Sequence, residues 1–301
     1  MSIVVCCNLP DGMIIGADSA VTVTGVVTDE TGKQQQGVVK VYERARKIFH
    51  VGGLPVGVAA FGAFTFGGRT VGSYLEEFEL ERLDALERLD AIASNGEFQG
   101  EYQKESIRRL CEAIWEFMEK RYREEFRQEI ERQKGRPYDD VPPEERPAVV
   151  LLVAGYGWRR PLGEAWLIRV PFPREADPII PVRAAGSFGA NWFGVAAPVT
   201  RFIKGYDHYL REELRRILRA KVPEKSDEIW PDIESLFNRL EYAIPYEAMP
   251  LQEGIAHVRY LTGLAISFAR FVAGPPVCGG EVQVAIITAR RGFSWITSEL
   301  G

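Results

Sequence analysis

Residues 2–19 read Ser2-Ile3-Val4-Val5-Cys6-Cys7-Asn8-Leu9-Pro10-Asp11-Gly12-Met13-Ile14-Ile15-Gly16-Ala17-Asp18-Ser19. Two apolar, β-rich runs, Ile3 to Cys7 and Met13 to Ala17, flank the turn-forming residues Leu9-Pro10-Asp11-Gly12. That pattern is a hairpin. Neither run alternates polar with apolar residues, so both faces of each strand are expected to be covered. Chain ends normally fray. A strand starting at residue 2 therefore leads us to expect an amino terminus held deep in the fold.

Further strands follow. Val21 to Val27 is β-rich, Thr28 to Gln36 is a polar, turn-forming extension, and Val38 to Tyr42 returns. Lys47 to Val51 and Val56 to Ala60 form a second hairpin that turns at Gly52-Gly53-Leu54-Pro55. Apolar residues then recur at helical spacing: Tyr74, Leu75, Phe78, Leu83, Leu86 and Leu89 from Val71, and Ile107, Leu110, Cys111, Ile114, Trp115, Met118 and Tyr122 from Ser106. The charged run 119–134 reads as a solvated helix end, with a partner-docking arm as the alternative. Residues 135–147 read as a surface connector. Strands resume at Val149 to Gly155 and Ala165 to Val170, and a short Pro181 to Ala185 segment leads into Gly186-Ser187-Phe188-Gly189. Helices are expected over 191–220, 233–242 and 252–272, and closing strands over Val282 to Thr288 and Phe293 to Ile296. Strands and helices cluster rather than alternate. The fold class is therefore α+β, with sheets packed together and helices outside.

Composition narrows the function. The 301 residues suit one large domain, and 46% apolar with 26% charged residues is the balance of a globular chain. The uncharged stretch Val51 to Gly68 holds six glycines and a proline, which excludes a membrane-spanning helix there. A net charge of -5 argues against non-specific nucleic-acid binding. The four cysteines show no C-x-x-C or disulfide-framework spacing, and no secretory signal is read, so the expected compartment is the cytoplasm. No two of the three histidines, His50, His208 and His257, lie at helical spacing from each other, so no metal site and no cofactor is expected.

Common catalytic signatures are absent: no G-x-x-x-x-G-K-[ST], no H-E-x-x-H, no G-x-S-x-G. What remains is the amino terminus. Methionine before a small residue is normally removed, which would leave Ser2 with a hydroxyl and a free α-amine. An α-amine has an unperturbed pKa of ~7.7–8.0 and can accept a proton near neutrality. A nearby cation would lower that value. The amine could then activate its own hydroxyl without a histidine.

The spacing resembles that of proteasome β-type subunits. In that family an N-terminal threonine is followed sixteen positions later by an aspartate, and Ser2 to Asp18 is also sixteen. Thr22 falls where the family has a threonine lining the substrate cleft. Lys47, ahead of Ile48-Phe49, matches the family's lysine, and Phe61-Gly62 matches the residues whose amide forms the oxyanion hole. Ala185-Gly186-Ser187-Phe188-Gly189 resembles the family's G-S-G segment, whose serine supports the amine. Pro250 to Ile255 resembles the late helix start, and Gly279 to Thr288 the closing strand.

The resemblance implies an N-terminal nucleophile hydrolase fold, a four-layer αββα sandwich. One domain would span 1–301, with extensions near 26–40, 119–147 and 196–249. It implies a catalytic set of Ser2, Asp18, Lys47, Gly62 and Ser187, with Thr22 in the substrate cleft. Asp18 would pair with Lys47 and aim it at Ser2. Peptide or protein substrates, a homo-oligomeric ring or partial ring and an ATPase partner follow from the same resemblance. The family's late aspartate would fall near Pro275, and its companion serine near Cys278. Each residue also has a plainer reading: Asp18 as a turn cap, Lys47 as an edge-strand charge, Ser187 as a helix N-cap. A non-catalytic scaffold of the same fold and a small-molecule amidase or acyltransferase are the alternative functions.

Overall fold

The computed structural model describes residues 2–28, 34–83, 106–157, 160–172, 177–274 and 276–296. The opening hairpin is β1 (Ile3–Leu9) and β2 (Gly12–Ala17), every residue of both strands buried. A two-stranded ribbon follows, β3 (Val21–Thr28) with β4 (Gln34–Tyr42). Next come β5 (Ile48–His50), β6 (Val56–Gly62), the short pair β7 (Thr65–Phe66) and β8 (Arg69–Thr70), and helix α1 (Val71–Phe78). Helix α2 (Ser106–Lys134) precedes β9 (Val149–Gly155), β10 (Glu164–Val170), β11 (Ile179–Arg183) and β12 (Gly189–Gly194). Helices α3 (Ala197–Lys204), α4 (His208–Lys221), α5 (Ser226–Leu240) and α6 (Leu251–Phe271) come next, then β13 (Gln283–Thr288) and β14 (Gly292–Trp295).

The strands assemble into two five-stranded antiparallel sheets. Sheet 1 runs β12-β1-β2-β13-β14 and sheet 2 runs β11-β10-β9-β6-β5. Period-two alternation then sorts the side chains. From β1, Val4 and Cys6 join a cluster with Ile48, Ala59, Leu152 and Ala154 of sheet 2. The alternate residues Ile3, Val5, Cys7 and Leu9 join a cluster with Ile255, Val258 and Leu261 of α6. In sheet 2, Val58, Ala60, Leu151 and Val153 pack with Tyr74 of α1 and Ile114 and Met118 of α2. The unbroken apolar runs follow from this, because each strand meets a sheet on one face and a helix on the other. A fully buried Val, Ile or Leu stabilises by about 1.5–3 kcal/mol, so these runs supply much of the folding energy.

Three expectations need correction. Residues 191–194 are the end of a strand, β12, not the start of a helix. The run Asn191-Trp192-Phe193 is too short for periodicity to separate strand from helix, and pairing to β1 decides it. The run 119–134 is not simply a solvated helix end. Tyr122, Phe126 and Ile130 are buried in the α1–α2 cluster, continuing a four-residue stripe from Met118. Helix α5 starts at Ser226 and carries Pro231 inside it, ahead of the expected start at 233. Leu86 and Leu89, the tip of the 26–40 extension and Pro275 lie outside the described residues. Among the described residues, no helix is long and apolar enough to cross a membrane.

Candidate active site

Five chain segments converge at one end of the two sheets. Ser2 precedes β1, and Asp18 follows β2. They are brought together by the hairpin register, in which Val4 pairs with Ala17 and the Asp18 N–H donates to Ile3 O at 3.2 Å. Ser2 has the parity of Val4 and Cys6, so it belongs to the face turned toward sheet 2. Lys47 precedes β5 of that sheet, and its carbonyl accepts the Ala60 N–H of β6 at 2.8 Å.

Lys47 Nζ donates to Ser2 Oγ at 2.7 Å and to Asp18 Oδ1 at 2.8 Å. Lys47 and Asp18 are fully buried and Ser2 nearly so. A buried ion pair is tolerable only when its remaining valences are satisfied. Here Asp18 Oδ1 also accepts the Ile3 N–H at 3.1 Å, and Oδ2 accepts the Gly279 N–H at 3.0 Å. Burial pulls the Lys47 ammonium below its ordinary value, and the Asp18 carboxylate opposes that pull. The Ser2 oxygen accepts the lysine hydrogen, so the hydroxyl proton stays free for another base.

Two glycines shape the rim. Gly194 ends β12 at φ +83°, and a Cβ there would lie 1.8 Å from Ser2 O. The adjacent Val195 N–H donates to that same oxygen at 2.8 Å. Gly62 ends β6 at φ +86°, where a Cβ would meet Ala148 O at 2.3 Å. Its N–H has the same strand parity as that of Ala60, so it faces the edge that β5 leaves open beyond Lys47.

Thr22 lies in β3 opposite Val41, half-buried, and makes none of these polar contacts. Ser187 is not at the site. Its carbonyl accepts from Asn8 Nδ2 at 3.0 Å, and Asn8 lies at the far end of β1. Asn8 is six steps along the strand from Ser2, roughly 20 Å at about 3.3 Å per residue. The expected placement of Ser187 came from the resemblance of Ala185 to Gly189 to the family's G-S-G segment. Because β12 intervenes, the segment beside Ser2 is Gly194-Val195 instead.

Three contributors were not singled out from sequence. Gly279 supplies an N–H to Asp18. Gln283 of β13 grips the loop before β5: its Oε1 accepts the Lys47 N–H at 2.9 Å and its Nε2 donates to Ala45 O at 2.9 Å. Ser19 Oγ donates to Glu43 O and accepts the Glu281 N–H at 2.7 Å. Polarity within otherwise apolar β13 was the available signal for Gln283. Cys278 is buried beside the ion pair, and burial pushes its thiol up to about 12, so it is neutral there. Among the described residues, no group of three or more His, Cys, Asp or Glu could hold a metal ion.

This arrangement offers a hydroxyl, a fixed cation held by a carboxylate, and a backbone donor on the rim. No protein-family model matches the chain, and no curated protein matches it.

Proposed function

We propose that the chain is an N-terminal serine amide hydrolase of the proteasome β-type kind, cleaving peptide bonds through Ser2 once Met1 has been removed. The observation that carries this reading is the buried contact of Lys47 Nζ with Ser2 Oγ at 2.7 Å and Asp18 Oδ1 at 2.8 Å. We read the two sheets and their outer helices as the four-layer αββα sandwich of N-terminal nucleophile hydrolases. The three apolar clusters, helix–sheet, sheet–sheet and sheet–helix, support that reading.

In the proposed reaction, the free Ser2 amine takes the hydroxyl proton while Oγ attacks the substrate carbonyl. The nearby Lys47 charge disfavours protonation of that amine and so keeps it in the free form that can take a proton. The Gly62 N–H donates to the tetrahedral oxyanion, a role worth about 10²–10³ in kcat where it has been removed. The amine then passes its proton to the leaving nitrogen as the C–N bond breaks. Water hydrolyses the resulting ester by the same route in reverse. Thr22, beyond Asp18 on β3, would line the substrate cleft. Self-assembly into a ring or partial ring, an ATPase partner and a cytoplasmic setting belong to the same reading.

The test uses intact mass and a peptide vinyl sulfone. The mature protein should lack Met1 and gain one probe mass, and Ser2→Ala should gain none. An adduct of equal yield on Ser2→Ala overturns the assignment. A second reading is a non-catalytic scaffold of the same fold. It is favoured by one observation: among the described residues, Lys47 alone hydrogen-bonds the Ser2 hydroxyl, with no second serine in support. Retention of Met1 in the mature protein would select this second reading.

A further inference from the structure

Strand β12 borders sheet 1, and its outer edge pairs with no other strand among the described residues. Register fixes which groups point outward. Val195 bonds to Ser2, so residues 193, 191 and 189 also face β1. Ala190, Trp192 and Gly194 turn their N–H and C=O groups away from it. Gly194 O accepts the Ala196 N–H at 2.8 Å, and Ala190 O accepts from Arg183 Nη2 at 3.3 Å. Among the described residues, nothing bonds the Trp192 N–H, the Trp192 C=O or the Ala190 N–H. Proteins ordinarily cover or blunt such an edge.

Here the edge faces a groove beneath α3, α4 and α5. One cavity of about 690 Å3 adjoins another of about 440 Å3, and Ala190 and Trp192 line both. The larger is within the ~300–1,000 Å3 range of ligand sites. The groove's charges do not balance. Lys204 faces Glu241 at 3.9 Å, and Arg211 pairs with Glu234. Arg183 has no carboxylate partner among the described residues. It donates only to neutral oxygens: Asn191 Oδ1 at 3.0 and 2.7 Å, Ser187 Oγ and Phe188 O at 3.4 Å, and Ala190 O. Its terminal nitrogens stand 3.0 Å from where a Gly189 Cβ would be, directly over the start of the open edge.

We propose that this groove docks an extended peptide segment bearing a carboxylate, which adds to β12 as a sixth strand of sheet 1 and places its acid on Arg183. Main-chain pairing to Ala190 and Trp192 supplies general affinity, and the arginine supplies selection for an acidic partner. The inference does not depend on turnover at Ser2.

The probe is fluorescein-labelled Thr-Val-Glu-Val-Thr-Val-amide, titrated by fluorescence polarisation against the full chain carrying Ser2→Ala to prevent cleavage. The expected result is saturable binding that weakens about tenfold for Arg183→Met and for a probe with Lys in place of Glu. Ala190→Pro should weaken it similarly, since proline is tolerated where a strand N–H points off the edge but cannot pair. If that variant fails to fold, a backbone N-methylated probe tests the same pairing on the unaltered groove and should bind weakly. Equal affinity for all proteins and probes overturns the proposal, because the peptide would then sit elsewhere. Arg183-dependent binding that tolerates N-methylation also overturns it, leaving a simple anion site. Absence of binding up to about 1 mM probe overturns it as well.

Discussion

The two ends of β1 treat buried polarity in opposite ways. At the Ser2 end, two ionisable groups are fully buried, and both carboxylate oxygens of Asp18 have named partners. At the Asn8 end, a neutral amide does the work. Asn8 Nδ2 donates to Gly163 O at 3.1 Å and Ser187 O at 3.0 Å, while its buried Oδ1 has no partner among the described residues. Each end holds a serine beside a glycine-containing turn, yet only Ser2 meets a cation held in place by a carboxylate. A serine becomes a candidate nucleophile through its neighbours in space, and neighbours along the chain do not supply them.

The contrast can be broken most severely at Lys47. Lys47→Met leaves the Asp18 carboxylate buried without its counter-charge, so chemical denaturation should register a loss of about 3–5 kcal/mol. The same variant should form no vinyl sulfone adduct. A loss below about 1 kcal/mol would make the pair an ordinary exposed one and erase the difference between the ends. Gly194→Ala comes next. The positive φ alone costs about 1–3 kcal/mol, and the contact with Ser2 O adds to it. Its adduct yield should fall together with its stability. Asn8→Ala strands the buried Gly163 carbonyl and frees the partly buried Ser187 carbonyl, and should cost about 1–3 kcal/mol with the adduct rate per folded molecule unchanged.

A smaller effect belongs to His257 of α6, whose ring meets Tyr246 Oη at 3.2 Å on the helix-facing side of sheet 1. Burial lowers its value below 6.5, so the unfolded chain binds the proton first as pH falls. Stability should therefore decline as pH drops through 6.5 toward the lower folded value. Thermal melts of His257→Gln should be flatter over that window. The smallest effect is Ser187→Ala, whose side chain is exposed. Stability should stay within about 0.5 kcal/mol and labelling should be unaltered. Loss of labelling there would return Ser187 to the site and undo the comparison.

Legibility followed the range of the interactions. The hairpin Ile3–Ala17 was readable because its apolar runs and its Leu9-Pro10-Asp11-Gly12 turn are local signals. Lys47 and Asp18 were named from a spacing shared with a family, and the structure brings them together at Ser2. Ser187 was expected at Ser2 from a short G-S-G likeness, and a match of that length carries no register: β12 pairs Gly194 with Ile3 and Gly189 with Asn8, which leaves the serine at the far end of β1. The continuation of the stripe past Tyr122 to Phe126 and Ile130 was masked by the charges around it, which occupy the other faces of the same helix.

By itself the sequence determined the elements whose signals are local: the opposed strand runs, the long amphipathic helices, and the mixed α and β composition of the chain. Only the tertiary structure decided which end of β1 gathers an ammonium group, that Gln283 and Gly279 brace the ion pair from β13 and the loop before it, and that β12 leaves an edge open over Arg183. The reason is that turn propensity and periodicity act over a few residues. The hydrogen bond between residues 18 and 279 exists only once β2 and β13 have paired, and the one between 47 and 283 only after the two sheets have closed on each other.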